Sequence, residues 1–221
     1  AARLGARTLV LTQNADTVSQ MSCNPAIGGL AKGHMVRELD ALGGAMGACA
    51  DATGIQFRML NARKGPSVRA PRVQCDKKSY QLRAKAILER HPGIDLKQAA
   101  VARLVVESDR VVGVETTLGL RFLSASVVIT AGTFLGGILH VGLERQTGGR
   151  MGDGVSNLSD DLRAHGLEVR RFKTGTPCRL VGRTIDFGRC EPQHGDNPPP
   201  TFSYREENEE DGMPTLNRMR G

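Results

Sequence analysis

Between residues 94 and 132 the chain alternates short β-branched runs with turn residues, and few folds accept that rhythm. Runs at 94–98 and 101–106 lead to a turn at Ser108-Asp109. A third run at 111–116 leads to a turn at Leu118-Gly119, and a fourth closes the series at 120–123. Strands this short, joined by turns this tight, pair with their sequence neighbours as an antiparallel meander. The next stretch, Val127-Val128-Ile129-Thr130-Ala131-Gly132, is apolar on both faces and reads as a buried strand that ends in small residues.

Ahead of the meander, Thr8–Thr12 (T-L-V-L-T) reads as a buried parallel strand. Met35, Leu39, Leu42 and Met46 recur at helical spacing, with Gly43-Gly44 as a break. A second helix is expected from Asp76, through Tyr80, Ala84, Ile87 and Leu88 on one face, to a stop at His91-Pro92-Gly93. Both apolar stripes are read as core faces. Beyond Gly148-Gly149-Arg150 a short helix is expected over 155–165 and a strand over 167–172. Pro198-Pro199-Pro200 and the acidic stretch 206–211 read as exposed loop or linker.

Strand, helix, meander and a buried strand ending in Ala-Gly is the order of an α/β, two-dinucleotide-binding (Rossmann-like) FAD-binding fold with a β-meander insertion. In such sheets ligands lie beyond the carboxyl ends of the strands, which puts Ala131, Gly132 and Thr133 at a cofactor. The G-x-G-x-x-G turn of that fold does not occur in the sequence, so the fold is expected to be incomplete at both ends. The expected division is a partial FAD-binding domain at 1–150 and the start of a second, NAD- or substrate-side region at 151–221.

With 39% hydrophobic and 24% charged residues the chain has the composition of a globular protein, and no apolar run is long enough to span a bilayer. Five cysteines, Cys23, Cys49, Cys75, Cys178 and Cys190, occur without a C-x-x-C pair, which argues against a zinc ribbon or a disulfide framework and for a reducing compartment. The net charge of +7 is local: from Arg58 to Lys85 there are nine basic residues and one acid, and the remainder of the chain sums to −1. Such a concentration is the footprint of a phosphate-bearing partner. Arg63, Lys64, Arg69 and Arg72, interleaved with Gly65, Pro66 and Pro71 in an expected loop, are the candidates. Lys77, Lys78, Arg83 and Lys85 read as a solvated helix face. With no Trp and only eight Phe and Tyr, recognition of RNA would lean on charge more than on stacking.

The segment 22–29, S-C-N-P-A-I-G-G, combines a thiol, a proline and two glycines. Glycines let a backbone approach a ligand closely, and amides at a helix start favour negative charge and a thiolate. The residues alone leave two readings open: a cofactor-contacting loop with a reactive thiol, or a surface loop with an inert one.

Taken with Lys64-Gly65-Pro66-Ser67-Val68-Arg69-Ala70-Pro71-Arg72, Lys173-Thr174-Gly175-Thr176-Pro177-Cys178-Arg179 and Gln193-His194-Gly195-Asp196-Asn197-Pro198, this segment resembles the glucose-inhibited division protein A (MnmG) family. These are tRNA uridine 5-carboxymethylaminomethyl modification enzymes. The resemblance runs over essentially the whole chain, read as an internal piece that would be inactive alone. It implies a bacterial-type FAD enzyme acting on the wobble uridine of tRNA, with NADH and methylenetetrahydrofolate as co-substrates. It also implies a partner GTPase (MnmE-like), a homodimer when full length, and a cytoplasmic location, with a mitochondrial one left open by the unread N-terminus. By the same resemblance Cys23 matches one of two active-site cysteines, as nucleophile or as acid/base group. Ser22, Asn24, Gly28 and Gly29 would line the flavin side of the loop, Val101 and Ser156 match FAD contacts, and Arg63, Lys64, Arg69 and Arg72 fall in the family's basic loop. Cys178 replaces a proline common among relatives and is read as neutral. Cys49, Cys75, Cys190, His34 and His194 are assigned no chemistry. Two rival readings of the sequence are another FAD oxidoreductase of the same fold, which leaves the local +8 unexplained, and a non-catalytic RNA-binding piece.

Overall fold

In the computed structural model, which describes residues 1–204, the chain forms two compact units, each assembled from separated segments. Of the described residues one comprises 1–9, 16–95 and 175–204; the other comprises 10–15 and 96–174. Strand β1 (Thr8–Thr12) forms where the sequence predicts it and pairs with β5 (Ile94–Gln98), but it is not buried: Leu9 is exposed and its other residues are half-buried. Both strands are divided between the units.

The first unit is built on a three-stranded antiparallel sheet of β2 (Ala26–Gly28), β3 (Gly54–Leu60) and β4 (Ala70–Cys75), with β4 in the centre. Val73 of β4, fully buried, faces Ile27 on one side and Phe57 on the other. Helices α1 (Lys32–Ala41) and α2 (Met46–Thr53) precede β3. Helix α2 buries Gly47, Cys49, Ala50, Asp51, Ala52 and Thr53, and small side chains permit this burial. A Cβ on Gly47 would stand 2.9 Å from Asp40 Oδ1, so only glycine lets α2 approach α1 so closely. Helix α3 (Lys77–Arg90) starts at Asp76, whose carboxylate accepts from the Lys78 and Ser79 amides at 3.1 and 2.8 Å, a cap worth about 1 kcal/mol. It ends at His91, ahead of Pro92-Gly93, as expected. Tyr80 of α3 joins Cys49 and Cys75 in the core, and Ala84 and Ile87 pack against that core.

The second unit holds the predicted meander of β6 (Val101–Glu107), β7 (Arg110–Thr116) and β8 (Arg121–Leu123). The β6–β7 turn takes Ser108 and Asp109 through φ of 47° and 59°, the left-handed pair that fits the twist of a two-residue hairpin. A second hairpin joins β9 (Ile138–Val141) to β10 (Glu144–Thr147). Helix α4 (Leu158–Ala164) lays Leu158 and Leu162 on Leu104 and Val114 of the meander, and its Asp161 carboxylate accepts the Leu104 amide at 2.8 Å.

Four further expectations fail. The run 127–132 is not a buried strand: it has no ladder among the described residues, Gly132 starts a 3₁₀ turn, and Val128 is 82% exposed. The run 167–172 is not a strand either, because it too lacks a pairing partner there. Met35, Leu39, Leu42 and Met46 do not face the core; α1 turns Gly33, Val36 and Asp40 inward, since the neighbouring α2 demands small and polar contacts. The helix expected over 155–165 is only the seven residues of α4. Pro198 and Pro199 are exposed as expected, whereas 206–211 lies outside the described residues.

Candidate functional site

The segment 22–29 is half loop and half strand. Buried Met21 anchors its start, and the Pro25 carbonyl accepts the Cys75 amide at 2.7 Å. From Ala26 the chain joins the sheet as β2, and α1 begins at Lys32. Gly28 and Gly29 take φ of 88° and 102°. The two differ in what replaces a side chain. A Cβ on Gly28 would lie 2.2 Å from the Pro71 carbonyl oxygen and 2.5 Å from the Phe202 ring, so this glycine serves internal packing. Nothing lies within 4 Å of a Cβ on Gly29, but Gly29 is buried, its amide donates to the Pro71 carbonyl at 3.0 Å and its carbonyl accepts the Gly33 amide at 2.7 Å.

Cys23 is half-buried and Asn24 exposed at the tip of the loop. The irregular chain of 175–204 runs over this unit as a strap. At its start the Thr176 hydroxyl donates to Cys23 Sγ at 3.3 Å. Arg179 Nη2 donates to the carbonyls of Cys23 and Ser22 at 2.8 and 3.3 Å. Further along, Arg58 donates to the Gln193 side chain at 3.0 Å, and Asp196 accepts the Met59 amide at 2.6 Å. At its end Phe202 is fully buried. The Asp51 carboxylate accepts the amides of Phe202 and Ser203, and Asp40 accepts the Ser203 hydroxyl and the Tyr204 amide. Burial pushes the Asp51 carboxyl up to about 6, helped by the neighbouring Asp40 and opposed by the two amides and Arg37. Arg37 donates to the Thr201 carbonyl at 2.8 Å and stacks on Tyr204.

The basic window is sorted by the fold. Arg63, Lys64 and Arg69 stand exposed on the β3–β4 connection. Arg69 donates to the Ala62 carbonyl at 3.2 Å and stiffens that turn, while Arg63 and Lys64 make no side-chain hydrogen bond or ion pair among the described residues. An open cavity of about 480 Å³ lies under the turn, lined by Leu30, Ala31, His34, Asn61, Ser67 and Val68. Arg72 is not in the loop: it sits half-buried in the central strand β4, opposite Arg58 and Gly28, because the hairpin resumes at Ala70. Arg83 is buried rather than solvated, and Lys85 is held by Asp16 at 2.7 Å, which raises its affinity for the proton.

In the second unit, Ala131 caps a short 3₁₀ turn that contains Gly132 and Thr133. Gly132 has φ of 57° and open space where a Cβ would stand. Thr133 donates to the Gly149 carbonyl at 2.8 Å, and the Ser156 amide donates to Phe134 at 2.8 Å. Val101 opens β6 and packs at the edge of the meander's core. The predicted positions Ala131, Gly132, Thr133 and Ser156 are thus joined through one turn. Ser22, Cys23, Asn24, Gly28 and Gly29 belong to the other unit.

Cys49 and Cys75 are buried thiols, and burial pushes Cys75 up to about 12, as suits residues without chemistry. Cys178 and Cys190 are exposed. Sequence reasoning gave no role to Thr176, Arg179, Gln193, Asp196, Asp40 or Asp51. Four of these lie in the two dense motifs of the strap, which was the available signal; the two carboxylates had none.

A Rossmann-like FAD-binding α/β fold with a meander is the class these elements define. It is the fold of GidA from Aquifex aeolicus, with which the chain shares 50% identity at a TM-score of 0.87 over 97% of its length and 36% of the other chain. The chain belongs to the glucose inhibited division protein A family, whose model matches residues 1–218. It is 59% identical over 208 residues to the tRNA uridine 5-carboxymethylaminomethyl modification enzyme MnmG of Geobacter metallireducens, and equally to that of Pelobacter propionicus. Each match covers 94% of this chain and 33% of the relative, so the chain spans about a third of the length of these curated relatives. No helix among the described residues is long and apolar enough to cross a membrane.

Proposed function

We propose that this chain is the part of a tRNA-modifying flavoenzyme that presents a reactive thiol, Cys23, to the wobble uridine. The observation that carries the reading is the Cys23 loop. Its thiol is half-buried, it accepts a hydroxyl donor, and its backbone is clamped by an arginine, whereas Cys49 and Cys75 lie sealed in the core. A partly exposed thiol among polar donors is one prepared for chemistry. The relatives' names supply the substrate class, tRNA uridine.

FAD fits the residues present. Gly132 is exposed and carries a positive φ and open space in place of a side chain, which permits backbone approach to a cofactor. Ser22, Asn24, Gly28, Gly29, Val101, Ala131, Thr133 and Ser156 are the further proposed contacts; Gly28 would act through its backbone alone. When bound, the flavin supplies the transfer of a one-carbon unit from methylenetetrahydrofolate to uracil C5, with NADH as reductant. The chain's own contribution is to place Cys23 as nucleophile or proton carrier and to hold tRNA phosphates on Arg63, Lys64 and Arg69. Arg72, in the central strand, is the weakest of the proposed phosphate contacts. A partner GTPase, a homodimer and a bacterial cytoplasm complete the proposal.

Replacing Cys23 by Ala in the complete protein is expected to leave flavin absorbance intact and abolish wobble-uridine modification in a tRNA nucleoside assay. Undiminished product would remove Cys23 from the mechanism. In the same assay Arg63→Glu with Lys64→Glu is expected to raise KM for tRNA, and an unchanged KM would return that turn to an ordinary solvated loop.

A further inference from the structure

We propose that Thr176 and Arg179 are positioning residues that hold Cys23 in its reactive state, which makes the strap a working part of the thiol site. The inference rests on the reading of Cys23 as the reactive member of that site.

A thiol at a loop tip has two needs if it is to react. Its sulfur must be held facing its target, and its backbone must stay in one conformation. The strap meets both within four residues. The Thr176 hydroxyl donates to Sγ at 3.3 Å, a directional contact that fixes where the sulfur points. Arg179 donates from one nitrogen, Nη2, to two successive carbonyls, Cys23 at 2.8 Å and Ser22 at 3.3 Å. Two adjacent carbonyls on one guanidinium fix the peptides on both sides of Cys23. Pro177 lies between the two contacts and restricts the strap's own backbone, so hydroxyl and guanidinium arrive as a unit. Downstream, Gln193, Asp196 and Phe202 anchor the strap, which gives the clamp a fixed base.

Alkylation of the protein by iodoacetamide at neutral pH, read by mass spectrometry of the Cys23 peptide, tests this. The exposed Cys178 and Cys190 serve as controls in the same sample, and the buried Cys49 and Cys75 report folding. Thr176→Val is expected to slow Cys23 alkylation by about threefold to tenfold, because the contact that holds the sulfur is lost. Thr176→Ser is expected to restore the rate, and Arg179→Gln to slow alkylation as Thr176→Val does. Should Thr176→Val label Cys49 or Cys75, Thr176→Ala takes its place. A Cys23 alkylation rate equal to wild type in the Thr176 variant overturns the proposal, as does failure of the serine to rescue. The two readings fail separately. Active Cys23→Ala enzyme would end the catalytic role of the thiol while leaving the alkylation result to judge the clamp.

Discussion

The two units close their cores by different physics. In the meander unit Leu104, Val114, Leu158 and Leu162 meet over a shorter stretch of chain, and the carboxylate–amide bond from Asp161 that ties the helix to the sheet spans 57 residues. In the other unit the core of Val73, Cys49 and Cys75 is completed by Phe202, which lies 151 residues beyond the Asp51 that binds its amide. That closure is non-local and partly ionic. It draws the strap, and with it Thr176 and Arg179, onto the same body as the Cys23 loop. The meander can form from local contacts; the thiol site cannot.

The largest expected effect breaks this asymmetry directly. Phe202→Ala should destabilise the first unit by about 3–5 kcal/mol, because a fully buried ring is removed and Gly28 with Pro71 lose their packing partner. Hydrogen exchange should show β2, β3 and β4 opening, while the amides of β6 and β7 keep their protection. Equal loss in both units would show that the two cores stabilise one another.

Asp51→Asn should cost less, about 1–3 kcal/mol, since one oxygen still accepts from Phe202 but the Ser203 amide loses its acceptor. Its pH dependence carries more information. Burial raises the carboxyl from 3.8 to about 6 in the folded chain, so between these values the native state holds a proton that the unfolded chain has released. The group's contribution is therefore greatest at and below pH 3.8, falls as pH rises through about 6, and is flat above. Urea titrations across that window should show the wild-type advantage over Asp51→Asn shrinking with rising pH. A constant gap would mean that the amides and Arg37, not burial, govern this carboxyl.

Local features of this fold were legible. The Asp76 cap, the stop at His91, the Ser108-Asp109 turn and the three strands β6, β7 and β8 follow from short-range rules and formed as read, whereas 94–98 pairs with β1 instead of its neighbour in the meander. The failures are all matters of partner choice. Nothing in Val127-Val128-Ile129 says whether a strand will lie beside it, and nothing in Met35, Leu39 and Leu42 says that α1 will face a helix of small residues. The site divides the same way. Cys23 and its glycines announced themselves by composition, but the difference between Gly28 and Gly29 depends on Pro71 and Phe202, which no local window contains. Asp40 and Asp51 read as ordinary helix acids, and only the return of the chain at 201–204 gives them their amides.

The smallest expected effect belongs to the meander unit and has the opposite pH sign. Glu115 accepts from Arg103 at 2.9 Å and from Arg121 at 2.7 Å, and both arginines are more than half exposed. Hydrogen bonds from Arg121 and then Arg103 hold its carboxyl below the usual 4.5. The pairs therefore contribute above pH 4.5 and are lost as pH falls through the lower folded value. Solvent screens such pairs, so Glu115→Gln should lower the melting temperature only slightly at neutral pH and low salt, and less in high salt. The variant and wild-type melting curves should then converge in acid, where the Asp51 contribution is fully present. The two carboxylates differ because one is stabilised by solvent-facing arginines and the other is enclosed by the returning chain. If Glu115→Gln instead matched Asp51→Asn in size, or kept its deficit in acid, the meander would depend on its ion pairs as the first unit depends on its strap, and the contrast between a local and a non-local closure would fail.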